Sequence, residues 1–187
     1  MLFNTEMVQA IQDGRKTVTR RLVKNTVVWE PPCKKGDLLY VRETWSFQYC
    51  AECIQDGSCQ RTPDHGEDGD CEGDGCYLYR ADYGEKQAER ITWRPSIHMP
   101  KQAARIWLKV TEVRAQRLSE MRMADFLQEG AVIPPEAYND PANAYRQARG
   151  EFSRIWNSTL KREELAGYGF AADPWVWAIG FERCDMF

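Results

Sequence analysis

The closing run of the chain, "PWVWAIGFER", restricts the fold more than any other stretch. Trp175, Trp177, Ile179 and Phe181 recur two residues apart, the period of a half-buried strand, and Trp175 and Trp177 read as core and barrel wall. A long β-prone stretch, "ARIWLKVTEVRAQRL", precedes it, and shorter strand patterns lie in "KTVTRRLV", from Leu38 onward and again from Tyr77. Helical patterns are few. "NTEMVQAIQDG" has Asn4 or Thr5 as cap and Gly14 as its stop, and "SEMRMADFLQEG" is stopped by Gly130. "ANAYRQARGEFSRIWNSTL" puts Phe152, Ile155, Trp156 and Leu160 on one side. Strands with interspersed helices and no βαβ alternation predict an α+β fold around a small, mostly antiparallel barrel or curled sheet.

At 187 residues the expectation is a single domain, 1–187, carrying a Cys-rich insert over residues 46–76. No stretch approaches the ~18 consecutive apolar residues of a membrane span. The first residues lack a basic-then-apolar signal pattern, so a cytoplasmic location is expected. There, clustered cysteines more often hold metal than form disulfides.

Net charge is −3, but it is unevenly spread. Eight acids and one base between Cys50 and Cys76 give that segment −7 and leave +4 for the remainder. A mildly basic body permits a local anion site. Within the insert, Cys50 and Cys53, then Cys71 and Cys76, form two close pairs, the usual way a chain supplies four soft ligands to tetrahedral zinc. Cys59 is the alternate ligand and His65 a weaker substitute. The segment has almost no apolar residues to bury, so a structural zinc would supply what burial cannot. A loop of free thiols is the plainer alternative. The insert's acidity suits a basic protein partner better than a phosphate.

The stretch "DGRKTVTRRLV" holds no carboxylate from Gly14 to Lys24. Thr17, Thr19 and Arg21 fall on one strand face, and Val18, Arg20 and Leu22 on the other. An exposed edge strand blunted by charge would explain it. Two helix ends argue for more. Lys16 follows a helix C-terminus, where the dipole favours a cation, whereas Glu129 sits at another C-terminus, where the dipole opposes its charge. A Lys16–Glu129 pair would answer both. Arg15, Arg20 and Arg21 would press the Lys16 ammonium toward its neutral form.

In order, "GRKTVTRR", "GDLLYVRETW", "WRPSIHMP", "LQEG" and "PWVWAIGFER" resemble the ASCH family of the PUA-like superfamily, above all its phage and prophage branch. The likeness runs from Asn4 to Cys184 and omits the cysteine insert. It implies a small PUA-like β-barrel with flanking helices and a cleft that binds RNA or nucleotides. One characterised bacterial branch of the family is an amidohydrolase that removes acetyl from N(4)-acetylcytidine. Its lysine, threonine and glutamate fall on Lys16, Thr19 and Glu129 here. Other members have been described as ribonucleases.

Several residues could line such a cleft. Arg15, Thr17 and Arg21 flank the trio. Arg42 and Glu43 are adjacent on a strand, so one of them faces inward. Trp45 and Trp93 are core residues or base-stacking platforms. Ser96 and His98 lie between two prolines, and a histidine there suits proton transfer or a base contact. Three functions follow: an RNA or modified-nucleoside binder that hydrolyses an N(4)-acylated cytidine, a ribonuclease using the same basic cleft, and a non-catalytic module that recruits a partner protein.

Overall fold

The computed structural model of the chain describes residues 1–23, 29–49 and 75–184. Their elements are α1 (Thr5–Gln12), β1 (Val18–Leu22), β2 (Leu38–Tyr40), β3 (Trp45–Tyr49), β4 (Gly75–Tyr79), α2 (Glu85–Ala88), β5 (Trp107–Arg117), α3 (Met123–Gln128), α4 (Pro141–Ser158), α5 (Leu165–Tyr168) and β6 (Trp175–Cys184), joined by short 3-10 turns. The fold is α+β. Two compact units share the chain: Met1–Gln9 with Tyr40–Arg105, and Ala10–Leu39 with Ile106–Phe187. Among the described residues, no helix is long and apolar enough to cross a membrane.

The second unit is built on the two long β runs. They pair antiparallel from Trp107↔Cys184 to Arg117↔Trp175, and β1 adds to the other side of β6 from Val18↔Gly180 to Leu22↔Val176. The sheet order is β1-β6-β5-β2. A bulge shifts the register between Val110 and Glu112, opposite Gly180. A Cβ on Gly180 would lie 2.8 Å from Glu112 Cγ and 3.0 Å from Thr111 Oγ1, so the bulge closes onto a position without a side chain.

One face of this sheet meets the helices. Leu22 and Val176 join Phe126 of α3 and Phe152 and Trp156 of α4 in one apolar cluster. The α4 helix starts on Asp140, whose carboxylate accepts the Ala142 N–H at 2.9 Å. It turns Ala144, Ala148, Phe152 and Trp156 inward at four-residue spacing. The expectation for Trp175 and Trp177 needs correction. Both are half-buried on the opposite face, edge-on to Trp29 at 5.0 and 6.1 Å, while Val176 and Ala178 take the helix-covered side. Both faces of β6 are apolar, so alternation set the strand but not which side the helices cover.

In the first unit β3 and β4 pair antiparallel from Trp45↔Tyr79 to Tyr49↔Gly75. Residues 46–49 and 75–76, read from sequence as ends of the insert, are thus paired strand. Cross-strand partners order them where composition gave no periodicity. Trp45 and Tyr79 pack with Met99 and Ala103, and Cys76 and Leu78 pack against Tyr83, Ile91 and Trp93.

Candidate functional site

The site lies in the second unit, where the segment before β1 runs along the C-terminal end of α3. That helix ends in a Schellman arrangement: Ala131 N–H donates to Phe126 O at 3.1 Å and Gly130 N–H to Leu127 O at 2.9 Å, with Gly130 at φ 94°. Three later carbonyls still need donors. Three consecutive residues supply them. Thr17 N–H donates to Gln128 O at 2.9 Å, Lys16 Nζ to Glu129 O at 3.0 Å, and Arg15 Nη1 to Gly130 O at 3.3 Å. Lys16 therefore caps the helix end with a cation, where the dipole favours one.

The Lys16 ammonium has two further acceptors: Val18 O at 2.9 Å and the Glu129 carboxylate at Oε2. All three N–H bonds of the ammonium are used. Glu129 Oε1 accepts from Arg20 Nη1 at 3.1 Å, and Arg20 Nη2 donates to Asp125 Oδ1 at 2.6 Å. Asp125 also takes Arg114 Nη2 at 3.1 Å and the Arg122 backbone N–H at 2.9 Å. The side chains of Lys16 and Arg20 are 0% exposed and that of Glu129 5%, so this is a buried ionic network. Burial pushes the Lys16 ammonium below its ordinary pKa against the opposing pull of Glu129, and Arg21 and Arg20 add to the lowering. Arg21 is lowered too, by burial first, with Glu129 opposing.

Thr19 is buried at 3% exposure and stands across from Ile179, on the face of β1 that carries Arg21. Arg15 and Thr17 are exposed. Lys16, Arg15 and Thr17 are thus gathered at the α3 end with Glu129, and Thr19 follows two residues later on β1.

The remaining predicted residues belong to the first unit. Glu43 is the inward member of its pair, buried at 1%, and both its oxygens accept from Arg105, Nε and Nη2, at 3.1 Å. Arg105 also holds Asp82 and lies 3.9 Å over the Tyr79 ring. Burial alone would loosen the Arg105 proton, but hydrogen bonds to Glu43 and Asp82 more than reverse it, so its pKa is raised. Arg42 reaches the Ile97 carbonyl. Trp45 is buried with Arg94 5.2 Å over its ring, and its indole N–H has no acceptor among the described residues. Half-buried Trp93 donates to Ala88 O at 2.8 Å. Ser96 and His98 form a 3-10 turn, with His98 exposed.

Of the predicted zinc ligands, Cys76 alone is described; Cys50, Cys53, Cys71 and the alternate Cys59 lie outside the described residues, as does His65. Cys76 is buried, in no disulfide, and packs with Leu78. Among the described residues no group of three or more His, Cys, Asp or Glu could hold a metal. Sequence reasoning missed Asp125 and Arg114. Asp125 and Glu129 are four apart, which places both carboxylates along one side of α3, and that spacing was the available signal.

No family model matches the chain, and no curated protein does. Among solved structures it is similar to protein EF3133 from Enterococcus faecalis V583, described as DUF984. The two are 13% identical with a TM-score of 0.44, and the match covers 95% of this chain. The chain spans 66% of that protein's length.

Proposed function

We propose that this chain binds RNA or a modified nucleoside, and that Thr19, with Lys16 and Glu129, hydrolyses the N(4)-acyl amide of an acylated cytidine. One observation supports the reading above the others: Lys16 and Glu129, far apart in sequence, form a buried hydrogen-bonded pair at the start of the strand that carries Thr19. In this reaction the Thr19 hydroxyl oxygen bonds to the acyl carbon and its proton passes to neutral Lys16. The C–N bond to the cytidine amine then breaks, and that amine takes a proton back. Water releases the carboxylic acid and restores the threonine. Glu129 orients the lysine throughout, and the proton the lysine takes from Thr19 is the one the departing amine receives.

The ammonium, with three donors engaged, is the resting form, so a proton must leave before Lys16 acts as base. Its lowered pKa brings that loss closer to neutral pH. Acetylcytidine turnover by wild type, Thr19→Val and Lys16→Arg tests the reading. Thr19→Val removes the hydroxyl at nearly constant volume and should abolish release of acetate, while Lys16→Arg, which cannot act as base, should lower it by about 10²–10⁴-fold. Undiminished turnover in Thr19→Val would exclude threonine as nucleophile.

The saturated, fully buried ammonium favours a second reading, a binder in which Lys16 serves only as a helix cap. That protein would bind RNA or the nucleoside and release no acetate.

A further inference from the structure

The side chain that fixes Glu129 from within the fold is Arg20. It is fully buried, and its two terminal nitrogens divide between Glu129 Oε1 at 3.1 Å and Asp125 Oδ1 at 2.6 Å. Its Nε–H, also buried, has no acceptor among the described residues. The guanidinium is therefore oriented by the two carboxylates rather than by satisfaction of all its own donors. A buried arginine is expensive to desolvate, and an aliphatic side chain beside the Leu22 and Val176 cluster would avoid that cost. The planar fork does what an aliphatic chain cannot: it takes one oxygen of Glu129 and leaves the other to Lys16.

We propose that Arg20 is a positioning residue for the Lys16–Glu129 pair, holding one carboxylate oxygen so that Glu129 stays charge-compensated whether Lys16 carries its proton or has given it up. Asp125 comes from α3 and Glu129 from its C-cap, Arg20 and Arg21 from β1, Arg15 from the segment ahead of it, and Arg114 of β5 acts on Asp125. With Arg20 gone, Glu129 is free to give both oxygens to Lys16, and a neighbouring positive charge disappears. Both changes make the lysine hold its proton more tightly. With Asp125 neutralised, Arg20 turns its whole charge on Glu129, and Lys16 holds its proton less tightly.

The proposal rests on the hydrolase reading only for what the pair does, so its test needs no turnover. The full chain, with lysine side chains isotopically labelled, is titrated by NMR, and the Lys16 signal is assigned by its loss in Lys16→Met. Arg20→Gln should move the Lys16 titration upward, Arg20→Lys should return it most of the way, and Asp125→Asn should move it downward. A merely structural Arg20 would lower stability without moving the titration in opposite senses. An unmoved Lys16 in folded Arg20→Gln overturns the proposal. Should Arg20→Gln fail to fold, Asp125→Asn decides alone, and an unmoved or upward titration there overturns it. Absence of acetylcytidine turnover in wild type, by contrast, counts against the hydrolase and leaves this result standing.

Discussion

Lys16 carries a positive charge where water cannot reach it, and its partners compensate most of that cost. Removing one partner exposes the remainder. Glu129→Gln leaves the ammonium with carbonyls only and should destabilise the chain by about 3–5 kcal/mol. The double change Lys16→Met, Glu129→Leu should recover much of that, because no uncompensated charge remains. Urea unfolding of the three proteins measures both. The pH dependence has a definite sign. Because the folded pKa of Lys16 is lowered from 10.5, the folded chain binds fewer protons than the unfolded chain between the two values. The charged lysine thus costs stability below its folded pKa, and the cost is relieved as pH rises toward 10.5. Wild type should gain stability relative to Lys16→Met across that window, and a flat or falling difference would refute a lowered pKa. Arg105 presents the reverse case. Its loss in Arg105→Met strands the buried Glu43 carboxylate, side-chain exposure 2%, and should cost about 3–5 kcal/mol.

The end of α3 converts local chain geometry into the position of Lys16. Gly130 is at φ 94°, and a Cβ there would sit 3.0 Å from Ala10 Cβ and 3.4 Å from Lys16 Cβ. Gly130→Ala should therefore cost about 1–3 kcal/mol through backbone strain, with added crowding of the lysine stem. Gly150→Ala, on the exposed side of α4 with open space around it, should stabilise by about 0.5–1 kcal/mol. Thermal or chemical unfolding of both variants checks the contrast. The helix stops at Gly14 and Gly130 were legible because a positive φ selects glycine in the sequence itself. The helix-dipole argument also linked Lys16 with Glu129. It could not name the three carbonyls that residues 15–17 take, since those depend on how far the segment runs along the helix end. Arg20 was read as a neighbour of Lys16, but its burial between Asp125 and Glu129 stayed hidden for a related reason. Its charge suggested solvent, and only the presence of Asp125 and Glu129 above that strand face makes burial tolerable.

Across the chain, the period-two patterns placed the long strands, whereas β3 and β4 are short and owe their order to each other. Their pairing bears on the cysteines. Tyr49 stands across from Gly75, so the chain leaves β3 just before Cys50 and re-enters β4 just before Cys76 at the same end of the ladder. A zinc knuckle needs such closure, because two ligand pairs distant in sequence must reach one ion. The segment between them holds eight acids against one base and has little apolar surface to bury, so self-repulsion opposes its compaction unless a cation intervenes. Protein purified without added metal should carry about one zinc per chain, as a four-cysteine structural site binds a single ion. Elemental analysis measures it, and Cys50→Ser and Cys53→Ser should each lose the metal. Cys76 is the instructive variant, because its side chain packs with Leu78 in an apolar cluster. If Cys76→Ser keeps its zinc, Cys59 completes the site and Cys76 is a packing thiol. If wild type holds no zinc and its insert thiols react fully with a thiol reagent in the absence of chelator, the cysteines serve no metal and the insert is the plainer loop of free thiols.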